Sequence, residues 1–304
     1  MKFKSPELHL HTRKFTGHQG LVLTADTGGA SNAQPVLLLH GGGQTRHSWR
    51  AAAHALIAMG YQVICLDCRG HGQSSRSPSG DYSTDSLIAD LKAVIATLDR
   101  APVLVGASLG GSTALLAIGE NPKPLARALV LVDIVPKMSA NGIAHIRHFM
   151  KSTLNGFASL DEAAAAVSQF IPNRPKPASN DGLERNLNRA EDGRYYWHWD
   201  PNFLKDETRS PNPQFTRRME EAARRIKIPT MLVRGRESDV VTLEQAQSLI
   251  ELMPHAQLIN VQGAGHMVAG DKNDAFNTAV IDFLKQAIPP SDSDAASVDD
   301  RSAR

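Results

Sequence analysis

The sequence predicts an α/β protein: a doubly wound, mostly parallel sheet carrying a helical insertion. Three observations lead there. The first 35 residues alternate apolar and polar positions (LHLHTRKF, then GLVLTAD), as antiparallel edge strands do. From Pro35, short and almost wholly apolar runs alternate with helical stretches, the pattern of parallel strands buried on both faces. That alternation stops after Ile134 and resumes near residue 216.

The elements follow in order. PVLLLH leads into WRAAAHALIAMG, YQVICLD into SLIADLKAVIATL, and APVLVGAS into LGGSTALLAIGE, and ALVLVDI closes the first set. Residues 135–215 then show helical stretches (GIAHIRHFMKSTL, LDEAAAAVSQFI), a Pro-rich break at IPNRPKPAS and the aromatic group YYWHWDPNF. Alternation returns with IPTMLVRGRES, TLEQAQSLIELM, AQLINVQG and DAFNTAVIDFLKQAI. The expected organisation is one core from 1–134 and 216–288, an insertion over 135–215, and a disordered Ser/Asp/Ala-rich tail over 289–304. No internal repeat is present.

Composition narrows the function classes. Charged residues make up 21% and the net charge is +2, which suits an ordinary soluble enzyme and no broad field for nucleic acid or anionic lipid. No apolar run reaches signal-peptide or membrane-span length, so the expected location is cytoplasmic, with no membrane partner. The two cysteines, Cys65 and Cys68, sit at a strand and the turn after it. A redox pair opens a helix and a zinc site needs two further ligands, so both are expected to be idle thiols. His145 and His148 share a helical face without a third ligand, and no metal site is expected.

Gly106-Ala107-Ser108-Leu109-Gly110 stands between a strand and a helix, the setting of a nucleophile elbow. The turn is too tight for side chains at Gly106 or Gly110, and the helix start adds positive dipole density beside the Ser108 oxygen. His40-Gly41-Gly42-Gly43 ends an earlier strand and offers free backbone N–H groups to a developing oxyanion. Gly42 is the expected donor there, with the N–H of Leu109 as the second. Twelve histidines compete for the general base. His266 is selected by its Gly-rich loop after the last strand. Asp239, after the strand TMLVRG, is the expected acid in the chain order Ser, Asp, His, with Glu237 and Asp133 as rivals. Asp133 ends the strand ALVLVD. Asp67, in DCRGHGQS, is expected to tie loop amides together.

HGGG-x5-W, DCRGHGQS, GASLGG, GRESDVV and GAGH together resemble, in order and spacing, the α/β-hydrolase superfamily. The closest resemblance is to its capped bacterial esterase and cofactor-free peroxidase-like members, over roughly residues 20–288. It implies an eight-stranded sheet, the insertion as a cap, Ser108 as nucleophile, Asp239 as acid, His266 as base, Gly42 and Leu109 as oxyanion donors, and no cofactor. Epoxide hydrolases and haloalkane dehalogenases carry an aspartate where this chain has Ser108, so those activities are disfavoured. The expected reaction is cleavage of a small-molecule carboxylic ester or lactone with an apolar acyl or alcohol group. A carbon–carbon bond hydrolase, an aminopeptidase-like amidase and a small-lactone receptor are the alternatives. Trp197, Trp199, Phe203 and Phe149 either line the substrate pocket or form the cap's own core.

Overall fold

The computed structural model describes residues 9–171, 180–205, 212–271 and 273–288. Most of the Pro-rich break and the tail from Pro289 lie outside them. The core is an eight-stranded sheet in the order β1-β2-β4-β3-β5-β6-β9-β10. Its members are β1 (His11–Thr16), β2 (Val22–Gly28), β3 (Pro35–Leu39), β4 (Gln62–Leu66), β5 (Val103–Ala107), β6 (Ala128–Val132), β9 (Thr230–Gly235) and β10 (Gln257–Val261). β2 runs antiparallel to β1 and β4, as the N-terminal alternation predicts, and the other pairings are parallel.

Why the parallel strands are apolar throughout is visible in β3. Leu37 and Leu39 enter a cluster with Leu104, Leu131 and Leu232 on one face. Val36 and Leu38 enter a second cluster with Val105, Val130 and Val233 on the other. Each face is covered by helices, and each fully buried aliphatic side chain contributes about 1.5–3 kcal/mol. Residues of α1 (Arg50–Ala58), α9 (Val268–Asp271) and α10 (Asn273–Ala287) cover the second face. Those of α2 (Thr84–Ile95), α3 (Leu109–Gly119), α7 (Pro213–Arg225) and α8 (Leu243–Leu252) cover the first. Helix starts follow their caps: Ser83 accepts from Ser86 N–H, and Thr242 and Gln245 form a capping box. No helix among the described residues is long and apolar enough to cross a membrane.

Between β6 and α7 lie α4 (Ala140–Ser152), α5 (Leu160–Phe170), α6 (Asp181–Glu184) and a small antiparallel hairpin, β7 (Leu187–Arg189) with β8 (Tyr195–Trp197). The aromatic group therefore starts on a strand, and only its end, Pro201–Lys205, is helical, as a 3-10 turn. Asn212 caps α7 by accepting from Phe215 N–H, and Phe215 itself already packs in the core cluster.

Candidate active site

Ser108 sits where β5 turns into α3. Its φ of 45° and ψ of −109° are strained for a residue with a side chain, as a nucleophile elbow demands. The two glycines flanking it are sterically required. A Cβ on Gly106 would stand 2.5 Å from the Gly110 carbonyl oxygen, and one on Gly110 2.4 Å from that of Leu39. The Ser108 N–H donates to Val132 O at 3.2 Å, which ties the elbow to the end of the neighbouring strand β6.

That strand end carries the aspartate that meets His266. His266 Nδ1–H donates to Asp133 Oδ2 at 2.7 Å. Asp133 is fully buried, with φ of 49°, a left-handed conformation that a short polar side chain tolerates. It accepts from Gly235 N–H at 3.0 Å and from Ser238 Oγ–H at 2.5 Å as well. A carboxylate so satisfied is held in one orientation, and His266, 15% exposed, is held by it in turn. The expectation for Asp239 is corrected. Its side chain is 59% exposed and lies 3.6 Å from His145 on α4, away from His266. The physical reason is its neighbour: Ser238 turns inward, accepts from Val240 and Val241 N–H, and donates to Asp133. The chain there runs through a turn and a bend that bury Ser238, Val240 and Val241 and leave the Asp239 side chain at the surface. Glu237 is exposed too.

The glycine loop after β3 lies alongside. A Cβ on Gly41 would stand 3.5 Å from that of Ser108. Gly41 N–H donates to Gln44 Oε1, and Gly43 N–H donates to His71 Nε2 at 3.1 Å. Among the described residues no acceptor meets the N–H of Gly42 or of Leu109. Gln44 Nε2 also bonds the Met267 sulfur, linking this loop to the His266 turn. Sequence reasoning missed Gln44, Ser238 and His71, because a polar residue in a loop carries no local mark of its partner.

Asp67 ties loops, as expected: it accepts from Arg46 N–H at 2.7 Å and Gln73 N–H at 3.0 Å, and pairs with the Arg46 guanidinium. Cys65 and Cys68 are both buried and outside any disulfide, and burial pushes the Cys65 thiol up. Among the described residues no group of three or more His, Cys, Asp or Glu is placed to hold a metal ion.

The four cap aromatics part ways. Trp199 and Phe203 are buried with Tyr82, Met150 and Leu204. The Phe203 ring tip lies 3.2 Å from where a Gly42 Cβ would stand, and Trp199 Nε1 3.8 Å from the same point on Gly43. Trp197 packs edge-on to Phe157 and donates to Thr153 Oγ1, and Phe149 stacks on Phe170 with ring centroids 4.2 Å apart. The first pair faces the glycine loop and the second consolidates the insertion.

Known proteins are similar to this chain in sequence and fold. Residues 34–272 match the family model described as alpha/beta hydrolase fold. The chain is 29% identical over 265 residues to the sn-1-specific diacylglycerol lipase ABHD11 of Mus musculus, covering 84% of this chain and 82% of that one. It is 27% identical over 252 residues to the esterase Rv0045c of Mycobacterium tuberculosis, covering 79% of each. A solved E-2-(acetamidomethylene)succinate hydrolase superposes with a TM-score of 0.77 at 22% identity, over 91% of this chain and all of that one, a likeness of fold. With its strand order, its strained serine turn and a family match over most of its length, the chain belongs to the α/β-hydrolase fold family.

Proposed function

We propose that the protein is a serine hydrolase that cleaves a small carboxylic ester or lactone through an acyl-enzyme on Ser108. The observation that carries this reading is a strained Ser108 turn whose N–H is tied to Val132 O, one residue before the Asp133 that meets His266 at 2.7 Å. Relatives that include a lipase and an esterase support the bond type.

In this reading His266 Nε2 takes the Ser108 hydroxyl proton, and the oxygen attacks the ester carbonyl carbon. The N–H groups of Gly42 and Leu109 receive the oxyanion; one such donor contributes about 3–4 kcal/mol to a transition state. Asp133 holds the Nδ1–H tautomer and stabilises the imidazolium, which returns its proton to the departing alcohol. Water, deprotonated by His266, then attacks the acyl carbon, and the imidazolium returns that proton to Ser108 Oγ as it leaves and the acid is released. The buried Trp199, Phe203 and Met150 beside the glycine loop favour an apolar acyl or alcohol group.

The test combines labelling and turnover. A fluorophosphonate probe is expected to add one phosphonyl group at Ser108, located by peptide mass spectrometry. S108A is expected to lose about three or more orders of magnitude in kcat on short esters while staying folded. Unlabelled wild-type protein, or an S108A variant of wild-type activity, overturns the reading. Label without steady turnover identifies a receptor that keeps a reactive serine.

A further inference from the structure

The segment His198–Phe203 does more than cover the site. His198 Nδ1 accepts from Gly72 N–H at 2.6 Å, and Asp200 N–H donates to Gly70 O at 2.8 Å. These two bonds grip the backbone on either side of His71. Asp200 is itself anchored, because the Tyr82 hydroxyl donates to its carboxylate at 2.5 Å. Phe203 meets the His71 ring edge-on, with centroids 4.7 Å apart.

His71 in turn reaches the glycine loop. Its Nδ1 faces Arg69 O at 3.0 Å, and a carbonyl can only accept, so that nitrogen carries the proton. Its Nε2 is then an acceptor, and it takes the Gly43 N–H at 3.1 Å. On the loop's other side, His40 Nδ1–H donates to Gly41 O at 2.8 Å while its Nε2 accepts from Cys68 N–H. Two neutral, buried imidazoles thus hold Gly41 and Gly43, and between them the Gly42 N–H meets no acceptor among the described residues.

We infer that His71 is a positioning residue for the oxyanion loop, and that the insertion sets this position through His198, Asp200 and Phe203. The inference rests on the reading of Gly42 as an oxyanion donor. Docking of the insertion and orientation of the Gly42 N–H are then one event. An undocked insertion leaves Ser108 in place but the transition state short of a donor, which lowers kcat more than it weakens substrate binding.

The test uses full-length H71L, H71Q and H198L with a short-chain ester, reading kcat and KM separately. H71L, which removes the acceptor, is expected to lower kcat by about 10-fold to 100-fold, part of what deleting a donor costs, with KM within about 2-fold. H71Q, whose amide oxygen replaces the acceptor, is expected to restore most of that loss. H198L, which removes the insertion's bond to the Gly72 N–H, is expected to lower kcat by a smaller factor with the same sparing of KM. Wild-type kcat in both leucine variants, or a loss carried by KM alone, overturns the inference. If H71L does not fold, H198L and H71Q decide it. A wild-type protein that the fluorophosphonate leaves unlabelled locates the failure in the serine reading instead.

Discussion

Two neighbouring strand ends, those of β6 and β9, each offer an aspartate to His266, and the two aspartates have opposite fates. Asp133 is buried, accepts three hydrogen bonds and meets His266 at 2.7 Å. Asp239 is 59% exposed beside His145. The difference lies in surroundings rather than in residue type. A buried carboxylate persists only where donors surround it, and the donors that converge on Asp133 include the very residue preceding Asp239. Ser238 thereby turns the β9 loop, the expected source of the acid, into support for Asp133 at the end of β6.

The largest expected effect separates the two directly. D133N, which cannot stabilise the imidazolium and holds the wrong tautomer, is expected to lower kcat by roughly 10³–10⁴-fold, as asparagine does in a related triad. If D133N keeps wild-type kcat while D239N loses it, the acid belongs on β9 after all.

The contrast between buried and exposed polar groups extends to histidines. Burial pushes His198 down to about 4 from 6.5, and burial also lowers His40. Such groups stay neutral in the folded protein while the unfolded chain takes up protons. Stability therefore falls as pH drops from 6.5 toward 4, and the fall from His198 levels off below that. The cost for His198 is on the order of 3 kcal/mol, and H198Q is expected to flatten the urea-midpoint profile across this window. A profile identical to wild type would mean that His198 is protonated in the fold.

Smaller effects sharpen the β6–β9 comparison. S238A leaves one donor fewer on Asp133 and two amides, of Val240 and Val241, without their acceptor. A loss of about 1–3 kcal/mol in unfolding free energy is expected, with a modest drop in kcat, measured together on one preparation. D239N is expected to change neither kcat nor thermal midpoint appreciably, since exposed ion pairs contribute at most about 1 kcal/mol.

Much of this architecture is legible without coordinates. The Val, Leu and Ile runs from PVLLLH to ALVLVDI mark the central parallel strands because burial on both faces leaves no polar positions. GASLG marks the elbow because its glycines answer contacts within the same strand–turn–helix unit, apart from the approach of Leu39. The YYWHWDPNF group was less legible: Trp199 and Phe203 pack against the glycine loop while Trp197 turns back onto Thr153 and Phe157, although all are alike in composition.

The amino-acid sequence by itself determined the sheet, the strained turn at Ser108 and the placing of His266 in a strand-end loop, since apolar runs, glycines and turn spacing act over a few residues. Tertiary structure alone decided which aspartate meets His266 and what His71 holds. Those choices depend on groups brought together from the ends of β3, β6, β9 and β10 and from the insertion, separated along the chain by 133 residues between Asp133 and His266. A hydrogen bond of 2.7 Å is a condition on geometry, and no local spacing rule encodes it.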